Sequence, residues 1–101
     1  MPSDAASDWT IAWTPEAQRS LRQVPPRILP AVFSFVSERL VVDPFRVSHA
    51  LNEPLAAFRS ARVGSYRLLI QVDPAVATVY IVKVAYHADV YRPMQSPSDR
   101  A

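Results

Sequence analysis

"FRSARVGSYRLLIQVD", Phe58 to Asp73, is the stretch whose reading decides the fold. It contains the only glycine of a 101-residue chain. Gly64 can take the positive φ that a tight turn demands, so Gly64-Ser65 reads as the connection of a β-hairpin. Beyond it, Leu68, Ile70 and Val72 alternate onto one face of a strand, and Arg67, Leu69 and Gln71 onto the other. The pattern predicts strands near residues 57–63, 66–72 and 76–84, the last two separated by the turn Asp73-Pro74-Ala75. "ATVYIVKVA", residues 77–85, is apolar on both faces, as a central strand is. A hairpin accounts for the glycine. It does not account for the arginines on either side.

Upstream, "WTIAW" (Trp9 to Trp13) is aromatic and β-branched and reads as a first strand. Thr14-Pro15-Glu16 offers an N-cap, a proline at the first helical position and an acid in the first turn, which predicts a helix to about Val24. Pro25-Pro26 ends it. In "RILPAVFSFVSERLV", Ile28, Val32, Phe35, Val36 and Leu40 recur at helical spacing. Pro30 falls within the first turn, where the N–H groups have no internal partner, so it does not forbid the helix. "DPFRVSHALNEPLAAF", with two prolines, reads as a connecting loop. A last short strand is expected at "DVYR", Asp89 to Arg92. The order β-α-α-β-β-β, with a final β, is an α+β fold: a small antiparallel sheet with a helical hairpin on one side.

The length fits one domain, expected over residues 9–93, with a flexible lead at 1–8 and a disordered tail at 94–101. There is no cysteine, which excludes disulfides, thiolate metal sites and a thiol nucleophile. No apolar run reaches the roughly 18 residues of a membrane span, and the start lacks a signal-peptide pattern. A cytoplasmic protein with no membrane association is expected. Residues 1–50 carry five arginines and five acids, whereas residues 51–101 carry six basic groups and four acids, so the net +2 belongs to the second half. Ten of the eleven basic residues are Arg. Coding bias explains that excess as readily as the suitability of guanidinium forks for phosphate.

The candidate chemistry follows from these positions. Arg59 and Arg62 precede the hairpin, Arg67 follows it and Lys83 lies on the next strand. In a three-stranded meander these groups are expected to converge on one face. "AYHADVYRP" adds Tyr86, His87, Tyr91 and Arg92, with His87 able to donate or accept a proton near neutral pH. His49 lies in the connecting loop with no partner at motif spacing and is set aside. No metal-ligand spacing and no glycine-rich phosphate loop are present, so neither metal nor cofactor is expected. Arginines and a proton-transfer group can stabilise a pentacovalent phosphate without a metal. They can equally form a simple nucleic-acid or protein contact face.

Four pieces in order carry a resemblance: "TPEAQRSLRQVP", "DPFRVSHALNEPL", "FRSARVGSYRLLIQVD" and "HADVYRP". Over residues 9 to 93 the chain resembles the RelE/ParE superfamily of bacterial toxins, its RelE branch most closely. That resemblance implies a toxin of a type II toxin–antitoxin system that enters the ribosomal A site and cleaves mRNA without a metal. The RNA 2′-hydroxyl attacks the phosphate and leaves a cyclic phosphate. By the same resemblance Arg67 and Tyr91 are catalytic positions, and Arg59 and Arg62 contact RNA; Lys83 and Arg92 are expected to bind RNA phosphate from their own place on the basic face. The partners implied are a cognate antitoxin, the ribosome and mRNA. The chain departs from the pattern in reading Tyr86-His87-Ala88 where many relatives carry arginines, which leaves His87 as the substitute acid. The alternatives are a ParE-like gyrase inhibitor and a catalytically decayed member that only binds its antitoxin.

Overall fold

The first helix begins where the sequence dictates. Thr14 Oγ1 accepts the Ala17 N–H at 3.1 Å, Pro15 takes the first helical position and Glu16 lies in the first turn. The computed structural model describes residues 8–90. Within them, strand β1 (Thr10–Trp13) leads into helix α1 (Pro15–Leu21) and helix α2 (Leu29–Phe35). Strands β2 (Ser48–Ala50), β3 (Arg59–Val63), β4 (Tyr66–Asp73) and β5 (Thr78–Tyr86) follow.

Helix α1 is shorter than expected. After Leu21 the N–H groups of Arg22, Gln23 and Val24 reach back only three residues, a tightening that delivers the chain to Pro25. Helix α2 passes without interruption into a π-helical turn, Val36–Leu40, in which the Val41 N–H reaches the Val36 carbonyl at 3.1 Å. Val32, Val36 and Leu40 are buried, so one face stays inward through the widened turn.

The five strands form one sheet in the order β1-β5-β4-β3-β2. Two features depart from the sequence reading. The sheet is mixed, because β1 pairs parallel to β5, with Thr10 opposite Thr78 and Trp13 opposite Ile81. The segment expected to be a plain loop contributes β2, which pairs antiparallel to β3. A strand of three residues, downstream of Pro44 and upstream of Pro54, is too short to register as a periodic pattern. The strand expected from Asp89 is not formed at its start. Asp89 and Val90 lie in a turn whose N–H groups both donate to the Tyr86 carbonyl. Tyr91 and Arg92, like the expected lead and tail, lie outside the described residues.

Both helices cover the same face of the sheet. Ala61, Leu68, Ile70, Val79, Ile81 and Val84 from the strands meet Ala17, Val24, Val32, Val36 and Leu40 in one cluster. Leu69 and Val90 are also buried but do not belong to that cluster. No helix of the described residues is long and apolar enough to cross a membrane.

Candidate functional site

The face of the sheet away from the helices is built by alternation. Ala61 and Leu68 point into the core, so Ser60, Arg62, Arg67 and Leu69 must point the other way. The hairpin turn fixes the register. Gly64 has φ +59, the positive value that a two-residue hairpin turn demands of its first residue. With Val63 opposite Tyr66, Arg62 falls directly opposite Arg67.

Lys83 joins this face through a β-bulge. Val79 and Ile81 face the helices, and unbroken alternation would send residue 83 the same way. Instead Ile70 pairs with Ile81 while Leu69 pairs with Lys83, leaving Val82 as the extra residue. Val84 thereby returns to the core, and Lys83 lies opposite Leu69 on the open face. Its Nζ lies 3.4 Å from the Asp89 carbonyl.

Two rows of side chains therefore cross the open face. One runs His49, Ser60, Leu69, Lys83 across four strands; the next runs Arg62, Arg67, Ala85. Ser60 is 1% exposed, and its Oγ, like Arg67 Nε, is buried without a hydrogen-bond partner among the described residues. Buried polar atoms are normally paired, so two unpaired ones in adjacent rows mark this patch as unusual. Among the described residues no group of three His, Asp or Glu could hold a metal ion.

Arg59 is not brought to this face. It lies at the start of β3, between Ala50 and Ile70, on the helix side. Its Nε donates to Ser48 Oγ at 2.7 Å, and Nη2 donates to the carbonyls of Ser48 (3.0 Å) and Phe45 (3.3 Å). The guanidinium also lies over the Phe45 ring at 5.1 Å. Strand parity separates Arg59 from Arg62, because three residues along a strand is an odd step.

His87 lies just past the end of β5. Its N–H donates to the Ser65 carbonyl at 2.8 Å, beside the hairpin turn, and its ring packs 4.5 Å from that of Tyr86. Tyr86 in turn meets Tyr66 edge to face at 5.8 Å. His87 thus sits at the arginine end of the sheet, outside the two rows. Tyr91 and Arg92 lie outside the described residues. His49, set aside as a loop residue, is instead in register with Ser60 on the open face. The only signal that could have found it was the short run Val47–Leu51, too brief to separate from a loop. A cleft of about 430 Å³ between α1 and the edge of β5, lined by Ser20, Gln23, Val24 and Tyr86 among others, does not include the arginine pair.

Over 84 residues the chain is 44% identical to Toxin RelG of Mycobacterium tuberculosis, covering 83% of this chain and 97% of that toxin. The chain belongs to the RelE family of toxins. A second relative, Toxin RelE of the same organism, is 33% identical over 82 residues, which is 81% of this chain and 84% of that toxin. No family model matches the chain. Among solved structures, a chain of the RelBE2 toxin–antitoxin complex of M. tuberculosis is similar at a TM-score of 0.75 and 42% identity, covering 78% of this chain and 98% of that one. The mixed sheet under a helical hairpin is the RelE toxin fold. Where the resemblance calls for arginines, at Tyr86-His87-Ala88, this RelE toxin instead has Tyr86 paired with Tyr66 on the helix side of the sheet, with the His87 ring packed on Tyr86, while Arg67 has only Ala85 opposite it on the other face.

Proposed function

We propose that this RelE toxin is a metal-independent endoribonuclease that cuts mRNA on the ribosome and is held inactive by a cognate antitoxin. The observation that carries the reading is the Arg62–Arg67 pair. Two guanidinium groups directly opposite each other on one face repel, and a phosphodiester between them reverses the sign of that interaction. The chemistry requires little else of the protein. The 2′-hydroxyl loses its proton, its oxygen bonds to phosphorus, and the bond from phosphorus to the 5′ oxygen breaks. The products are a 2′,3′-cyclic phosphate and a 5′-hydroxyl. Arg67 and Arg62 offset the charge that builds on the phosphoryl oxygens, and Lys83 and Arg92 hold the flanking backbone. His87 and Tyr91 are the candidates to protonate the departing 5′ oxygen. Arg59 is held in this reading as a support of β2 rather than a direct contact.

An antitoxin partner is supported by the similar M. tuberculosis toxin having been solved as a toxin–antitoxin complex. An acidic segment laid over the basic face would mask the arginine pair. Action on ribosomes would place the chain in the cytoplasm.

The test is induction of this chain in bacteria beside an Arg67→Ala version, with new 5′ ends mapped on translated messages. Cuts inside reading frames that vanish with the substitution, and when initiation is blocked, are the expected result. Growth arrest with DNA breaks and no RNA cuts would instead identify a gyrase poison. Neither arrest nor cuts from soluble protein would identify a chain that only binds its antitoxin.

A further inference from the structure

We infer that His49 is the general base of the RNA cleavage, an assignment that rests on the endonuclease reading above. The register carries it. His49 lies opposite Ser60, and Arg62 is two residues beyond Ser60 on the same strand and the same face. Such diagonal neighbours sit about 7–8 Å apart at the backbone, within reach of long side chains working on one group. Arg67 is the next residue in the arginine row, and Lys83 closes the histidine row three strands away, about 14 Å at 4.8 Å per strand. A histidine and a lysine thus stand at the two ends of one row, with arginines alongside.

The floor between them supports a ligand rather than an idle surface. Ser60, which His49 faces, is 1% exposed with an unpaired Oγ, and Arg67 Nε is the other buried polar atom without a partner among the described residues. Both atoms keep hydrogen-bonding capacity that the described residues do not use. A histidine at a sheet edge is ordinarily only a solvated residue. Here it is the imidazole that shares the open face with both arginines, whereas the His87 ring is packed on Tyr86 beyond the strand end. Arginine is a poor base because it holds its proton far above neutrality, and histidine is the side-chain type that exchanges one near pH 7.

The step balances with groups already named. The unprotonated ring nitrogen of His49 takes the 2′-hydroxyl proton as the 2′ oxygen bonds to phosphorus. The bond to the 5′ oxygen breaks, and that oxygen takes a proton from the acid of the site, His87 or Tyr91 in the reading above. His49 then returns its proton to solvent as the acid regains one, which restores the site.

The experiment uses the purified full chain on ribosomes programmed with mRNA, at single turnover, for the unmodified protein and for His49→Gln, His49→Ala and Arg67→Ala. His49 is exposed, so the variants are expected to fold, and thermal melting checks it. Both His49 variants should cut about a hundredfold more slowly or worse. They should also lose the rising limb of the pH–rate profile that the unmodified chain shows. Binding to ribosomes should be unchanged. A variant that cuts within a few-fold of the unmodified chain, or that keeps the rising limb, overturns the assignment while Arg67 dependence leaves the endonuclease standing. Loss of the falling limb instead would make His49 an acid and overturn it as a base. If the unmodified chain does not cut, both readings fall together.

Discussion

Arg62 on β3 and Arg67 on β4 are ladder partners, so two arginine side chains leave the same face of the sheet from directly opposite positions. Like charges in that relationship oppose folding by up to about 1 kcal/mol. Arg67 adds a buried Nε with no partner among the described residues. A fold that keeps both costs keeps them for something other than stability.

Arg67→Ala is therefore expected to leave the melting temperature unchanged or to raise it, while cutting of mRNA falls about 10²-fold or more. Arg67→Lys keeps the charge but loses the fork and should recover only a small part of the rate. Melting and cleavage measured on the same preparations check both. A variant that loses activity only in proportion to lost folded protein would remove Arg67 from the site.

Arg59 predicts the opposite. Three hydrogen bonds and a ring contact spend its guanidinium on Ser48 and Phe45, tying β2 and the turn before it to β3. Arg59→Ala should destabilise the protein by about 1–3 kcal/mol, since partners in a half-buried site lose a charged donor. Ser48→Ala should weaken that effect in a double-mutant cycle, because both changes break the same bond. Cutting per folded molecule should stay within a few-fold. A pure activity loss with an unchanged denaturation midpoint would return Arg59 to the RNA.

Gly64 tests the hairpin. A Cβ built there meets nothing within 4 Å, so sterics with neighbours play no part, and φ +59 is the whole objection to a side chain. Gly64→Ala should cost about 1–2 kcal/mol, the strain of an L residue in the left-handed region. Gly64→Asn should cost less, because asparagine tolerates that region. Equal stability of Gly64→Ala and the unmodified chain, by urea denaturation, would mean the turn relaxes to another type and the Arg62–Arg67 register with it.

What could be read from the residues divides along physical lines. The hairpin, both helix starts and the face shared by Leu68, Ile70 and Val72 were legible, because each rests on local chemistry or on an unbroken period. The placement of Lys83 was expected but not derivable. It depends on the Val82 bulge, and a run that is apolar on both faces gives no sign of where one residue is skipped. Arg59 was grouped with Arg62 and Arg67 because all three precede or follow one turn, yet an odd step puts it on the other face. β2, and with it His49, escaped because three residues carry too little pattern. The parallel pairing of β1 is a property of how the chain returns after five intervening elements, which no window contains.

The edge of β5 supplies the last prediction. Pairing with β1 stops at Trp13 opposite Ile81, so beyond that point the outer backbone of the strand has no neighbouring strand among the described residues. Side chains of α1 and its cap take over. Thr14 Oγ1 donates to the Ile81 carbonyl at 2.9 Å, and Ser20 Oγ accepts the Val84 N–H at 2.9 Å while donating to the Ala17 carbonyl at 2.8 Å. Ser20 thus satisfies an amide immediately after the bulge that carries Lys83. Ser20→Ala should leave that half-buried N–H unpaired and cost about 1–2 kcal/mol. The loss should also be local: the Val84 amide should exchange with solvent much faster while the amides of Leu68 and Ile70 follow only the global change. Ser20→Thr keeps the hydroxyl and should restore protection. Unchanged exchange at Val84 in Ser20→Ala would mean that water in the adjoining cleft serves the amide as well as the serine does.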